Sequence, residues 1–156
     1  MSSVYLETSV ISYLAANPSR DLVLAAHQQI THEWWNNFRQ NFDLYISQSV
    51  IEEISLGDPA IAQKRLTLVH DIQPLALTPT ALELARALIT KGPLPQKAAD
   101  DALHISIAAI HDIDYLLTWN CKHIANLFIQ KDLEKIMLRF GFRLPRIGTP
   151  EALMEA

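Results

Sequence analysis

Residues 97–123, KAADDALHISIAAIHDIDYLLTWNCKH, constrain the fold more than any other stretch of the chain. They run a helix with two carboxylates at its start directly into an apolar strand with polar residues at its exit. Asp100 and Asp101 precede an alternation of Ala, Ile and Leu, so this helix is shaped for burial everywhere except its first turn. Asp112 and Asp114 bound a tight break, after which Tyr115, Leu116 and Leu117 form a short run suited to a fully buried strand. Thr118, Trp119 and Asn120 close that strand. Ligands of an open α/β sheet bind outside the carboxyl ends of its strands, which is where Thr118 and Asn120 are expected.

The rest of the chain supplies comparable units. Val4, Tyr5 and Leu6 are β-prone, Glu7 follows at the strand's exit, and Thr8 or Ser9 can cap a helix over 10–16. A long helix is predicted over 21–42 from the spacing of Leu22, Ala25, Ala26, Ile30, Trp34 and Phe38. Trp34 and Trp35, with His27 and His32, read as packing and surface residues. A second strand is expected at 43–47, with Ser49 capping a short helix over 50–56 that carries Glu52 and Glu53. A helix over 59–70, a weak strand at 72–77 interrupted by Pro74, and a helix over 79–90 opened by Pro79 come next. After a loop at 91–95 and the central stretch, a helix over 124–140 stops at Gly141. A last strand within 142–148 and a short closing helix from Thr149-Pro150-Glu151 complete the pattern. Strands alternate with helices, with no repeat or linker between them. The expected architecture is one domain over 1–156, a mainly parallel sheet with helices on both faces.

Composition narrows the class. A length of 156 residues fits one domain, and 49% hydrophobic content supplies a core. No apolar run approaches the roughly 20 residues of a membrane span, and MSSVYLETS lacks the basic and apolar segments of a secretory signal; a soluble, cytoplasmic protein is expected. The one cysteine, Cys121, can form neither an internal disulfide nor a Cys-type zinc site, and reads as a partly buried small residue. A net charge of −4 argues against coating nucleic acid by bulk attraction. Acids dominate residues 1–60, whereas Lys131, Lys135 and Arg139 mark a basic C-terminal part that reads first as a solvated helix face.

Three acidic positions can converge on the crevice: Glu7 after the first strand, Glu52 or Glu53 after the second, and Asp100 or Asp101 at the start of the central helix. Taken singly, a carboxylate in a first turn is explained by the helix dipole, and a strand-end Glu7 by solvation. Taken together, clustered carboxylates repel and raise one another's pKa unless a cation neutralises them. Oxygen-only ligands suit Mg²⁺ or Mn²⁺, and the histidines have no zinc-site spacing.

The ordered set VYLETSVISYL, ISQSVIEEISLG, ADDALHISIA and YLLTWNCKHIAN resembles the PIN-domain family, most closely the VapC-type toxins of toxin–antitoxin pairs. The resemblance extends to the closing PRIGTPEAL and so covers essentially the whole chain. It implies a three-layer α/β/α sandwich, a Mg²⁺- or Mn²⁺-dependent ribonuclease that cuts RNA phosphodiesters, a homodimer, and a cognate antitoxin protein. Matched position by position, the family's first, second and third acids fall on Glu7, Glu53 and Asp101, with Glu7 and Asp101 holding the metal. The sequence departs from the pattern twice. Glu7 stands where an Asp is usual, and Asn120 and His123 stand where a fourth acid is expected. Asn120 is expected to offer a carbonyl oxygen or orient a water, and His104 and His123 are read first as structural, with contact to phosphate as the alternative. The competing class is a catalytically degenerate module of the same fold that binds RNA or a protein partner without cutting. A phosphoacceptor receiver domain fits poorly, because Glu7 occupies the first strand end and no strand-end Lys follows Thr118.

Overall fold

The computed structural model describes residues 1–154. Five parallel strands, β1 (Ser3–Leu6), β2 (Asp43–Ser47), β3 (Gln73–Leu75), β4 (Tyr115–Leu117) and β5 (Arg146–Gly148), form one sheet in the order β3-β2-β1-β4-β5. Strand β1 therefore lies at the centre, with the chain leaving to β2 on one side and arriving at β4 on the other. Between β1 and β4 the order reverses, and such a switch point opens a crevice at the carboxyl edge. Val4, Tyr5, Leu6, Leu116 and Leu117 are essentially inaccessible, as strands covered on both faces require.

Helices α1 (Thr8–Ala15), α2 (Leu22–Asn37), α3 (Gln48–Ile54) and α4 (Pro59–Val69) pack against one another. Helix α5 (Pro79–Thr90) packs extensively on α6 (Ala99–Ile110) and also meets α7 (Leu127–Arg139). With the sheet they make the expected three-layer α/β/α sandwich. No helix among the described residues is long and apolar enough to cross a membrane.

Local chemistry explains where elements begin and end. Glu7, not Thr8 or Ser9, caps α1, its carboxylate accepting from the Ser9 N–H. Ser47, not Ser49, caps α3, its hydroxyl accepting from the Val50 N–H at 3.2 Å, so the helix begins two residues earlier than expected. Asp21, Asp58 and Thr78 cap α2, α4 and α5 in the same manner. The long helix predicted over 21–42 stops at Asn37, and a 3₁₀ turn at Arg39–Asn41 leads into β2. The break before β4 is made by Asp112, whose φ of 53° is left-handed. Gly141, with φ 81°, lies just beyond the end of α7, where a left-handed residue turns the chain away. That helix starts only at Leu127, capped by Asn126.

Candidate active site

Every strand of the sheet points its carboxyl end to the same edge, and the polar residues that follow β1, β2 and β4 meet there. Glu7 leaves β1 with 6% of its surface exposed. Its Oε1 accepts from the Ser9 N–H at 3.1 Å, from the Ser9 hydroxyl, and from the Thr118 hydroxyl at 2.6 Å, the last bond crossing the switch point from β4. The Trp119 N–H donates to the Ser9 hydroxyl at 2.8 Å, and the Asn120 N–H to the Thr118 hydroxyl at 2.9 Å. Glu7 has no Lys, Arg or His ion-pair partner among the described residues. Its Oε2 accepts no protein hydrogen bond there, yet it is not among the sealed orphan atoms, so it reaches solvent.

Glu53 sits in the last turn of α3. Its Oε1 accepts from the Thr8 hydroxyl at 2.8 Å and lies 2.5 Å from His104 Nε2. Burial pushes the Glu53 carboxyl up, but the His104 hydrogen bond, the His104 charge and Thr8 outweigh that effect and hold it below its ordinary range. His104 is fully buried on α6. Burial alone opposes its protonation, but the bond to Glu53 and the charges of Glu7, Glu53 and Asp101 together leave its pKa raised. All three acids thus act on one imidazole. His104 Nδ1 is 2.7 Å from the Tyr5 hydroxyl, which is itself 2.7 Å from the Ser47 hydroxyl.

Asp101 opens α6, where the helix dipole favours a carboxylate. Its Oδ1 accepts from Asn120 Nδ2 at 2.9 Å, and its Oδ2 lies 3.1 Å from His123 Nδ1. The Asn120 carbonyl oxygen accepts from the Lys122 and His123 N–H groups. It is therefore turned into the chain and away from any ligand, contrary to the expectation that it would offer an oxygen; what Asn120 presents to the crevice is its NH₂ group.

The structure also separates residues that spacing left equivalent. Glu53 and Asp101 are half-buried and face this network, whereas Glu52 and Asp100 are exposed. His104 is inaccessible, so contact with a substrate phosphate is ruled out for it. Cys121 is exposed and not partly buried as expected. Two participants were not foreseen in any functional role: Tyr5, read only as a strand residue, and Ser47. A strand tyrosine between buried Val4 and Leu6 has a hydroxyl that must find a partner, and that was the available signal.

The three acids share a hydrogen-bonded edge without forming a closed cage. Among the described residues, no group of three or more His, Cys, Asp or Glu side chains could hold a metal ion between them. The donor chemistry nevertheless fits a hydrated hard cation. Mg²⁺ is commonly held by one or two carboxylates and keeps several waters, and Glu7 offers a solvent-facing oxygen with no cationic partner.

No protein-family model matches the sequence, and no curated protein matches it. The structure is similar to a chain of the crystal structure of VapBC2 from Rickettsia felis bound to a DNA fragment from their promoter, with a TM-score of 0.55 over 77% of this chain and 89% of that one. At 18% identity the likeness speaks to the fold. The fold is PIN-like.

Proposed function

We propose that the chain is a divalent-metal-dependent endoribonuclease that hydrolyses RNA phosphodiester bonds as the toxin of a toxin–antitoxin pair. The observation that carries this reading is the bond from Thr118 to Glu7 across the switch point, with Asp101 and Glu53 reached from the same network through Asn120 and Thr8. Carboxylates brought from three separate elements to one strand edge are costly to assemble without a ligand that uses them. Glu7 and Asp101 would hold Mg²⁺ or Mn²⁺. When bound, such an ion lowers the pKa of a coordinated water and neutralises charge on phosphoryl oxygens. Glu53 keeps Oε1 on Thr8 and His104, leaving Oε2 to accept a hydrogen bond from the attacking water and so orient it. The Asn120 NH₂ and His123 hold Asp101 in place. A cognate antitoxin, a homodimeric assembly and a cytoplasmic setting belong to the same proposal; the antitoxin is favoured by the VapBC2 likeness in fold.

The deciding experiment compares wild type with Asp101→Asn on single-stranded RNA. The variant is expected to lose all chelator-sensitive cleavage while keeping the wild-type circular dichroism spectrum; equal cleavage by both proteins overturns the reading. A second reading, a degenerate module that binds RNA or a protein without cutting, is favoured by the committed Asn120 carbonyl and by the lack of a closed cage. It predicts that Mg²⁺ and Mn²⁺ titrations show no affinity that depends on Glu7 or Asp101.

A further inference from the structure

A ring of side chains closes through α3. Ser47 caps the first turn of this helix, and Glu53 leaves its last turn to meet His104. His104 meets the Tyr5 hydroxyl, and Tyr5 returns to Ser47. Four elements therefore contribute: Tyr5 on β1, Ser47 at the end of β2, Glu53 on α3 and His104 on α6. A carboxylate oxygen only accepts, so Nε2 carries a hydrogen toward Glu53. With a bare Nδ1, Ser47 donates to Tyr5 and Tyr5 to Nδ1; with His104 protonated, Nδ1 donates to Tyr5 and Tyr5 to Ser47 Oγ, which accepts from the Val50 N–H in either case.

A purely structural histidine would satisfy the same distances, and two features argue for more. The first is where the ring ends. Ser47, Tyr5 and His104 are inaccessible, yet the last member, Glu53, keeps 32% of its side chain open and faces the crevice. The second is the support available to that carboxylate. Helix α3 has 7 residues, about two turns, which is too short to define its own geometry without tertiary anchors. Glu53 has three rotatable side-chain bonds. Thr8 and His104 both grip Oε1, and this leaves Oε2 as the only oxygen that can turn outward.

We propose that His104 is a positioning residue: the Ser47–Tyr5–His104 chain fixes the rotamer of Glu53 and selects which of its oxygens faces the reacting water. The role rests on the nuclease reading above, and His104 acts only through Glu53.

The test uses the full chain with Mn²⁺ and a single-stranded RNA oligonucleotide. His104→Leu keeps the volume and removes both bonds; kcat is expected to fall by about 100-fold, the scale of an ångström-sized misplacement, with KM within about twofold. His104→Gln, which can still donate to Glu53, is expected to recover at least about tenfold of that loss. In a Glu53→Gln background His104→Leu should cost almost nothing more, because residues acting as one unit are not additive. Full additivity of the two losses, or a folded His104→Leu protein with wild-type kcat, overturns the proposal. A readout independent of activity uses Tyr5→Phe, which deletes one oxygen and leaves the ring packed. The side-chain carboxyl ¹³C resonance of Glu53 is expected to shift in this variant, although Tyr5 does not touch Glu53, and an unmoved resonance overturns the positioning role. If wild type shows no chelator-sensitive cleavage, the nuclease reading fails, and the carbon resonance still decides whether the ring sets Glu53.

Discussion

The site contains two carboxylate–histidine pairs, and they differ in almost everything except composition. Glu53 and His104 lie 2.5 Å apart, with the imidazole 1% exposed and continued inward by Tyr5 and Ser47. Asp101 and His123 lie 3.1 Å apart and share their exposure evenly, at 20% and 17%, whereas in the first pair it falls almost wholly on Glu53, at 32%; the second Asp101 oxygen is taken by Asn120. Burial of the imidazole, not residue type, decides what such a pair does. In the first, loss of Glu53 strands His104 Nε2 where water cannot replace the bond. In the second, solvent can substitute for a missing partner at little cost.

The two pairs are expected to differ most in stability. His104→Ala should cost about 3 kcal/mol, combining a cavity with the loss of one of the two partners of the buried Tyr5 hydroxyl, whereas His123→Ala should cost under about 1 kcal/mol. Urea denaturation measures both, and equal losses would erase the distinction. Tyr5→Phe should come next, at about 1–2 kcal/mol, since it removes a buried hydroxyl that serves two partners. The pH dependence is smaller and sharper in form. His104 titrates above its ordinary 6.5, so its contribution is complete below pH 6.5 and fades as the pH rises through the folded-state value. Glu53 titrates below its ordinary 4.5, so its contribution is complete above pH 4.5 and fades as the pH falls through its lowered value. The pair therefore adds most to stability between about pH 4.5 and 6.5. Glu53→Gln should flatten the stability profile on the acid side of that window and weaken its fall on the basic side; an unchanged profile would remove the ionic pairing from the comparison. Cys121→Ser, exposed and outside both pairs, should change stability by less than about 0.5 kcal/mol.

Much of the framework was legible because it depends on local pattern. Tyr115–Leu117 and Asp43–Ser47 were bounded correctly by an apolar run or β-prone alternation between turn residues, and Pro79 marked the start of α5. The helix caps were misplaced by one or two residues. A strand-end Glu7 or Ser47 can fold back onto the helix it precedes, and a sequence does not say which of several adjacent polar groups does so. The long helix over 21–42 was overextended because Phe38 and Phe42 kept the apolar spacing through the 3₁₀ turn that ends it. At the site, the residue types were visible, but their partners lie far along the chain. Tyr5 reaches Ser47 across 42 residues and His104 across 99, distances at which spacing carries no signal. The preference for Glu53 over Glu52 and for Asp101 over Asp100 came from motif resemblance; their inward placement follows from the roll of α3 and α6 against the sheet, which tertiary packing determines.

Pro74 occupies the middle residue of β3, the outermost strand on its side, in register with Ile46. Its nitrogen carries no hydrogen, so the margin of the sheet there lacks a donor that a visiting strand would need. A polypeptide that extends the sheet along that margin forgoes a ladder hydrogen bond at Pro74, which disfavours growth of the sheet there.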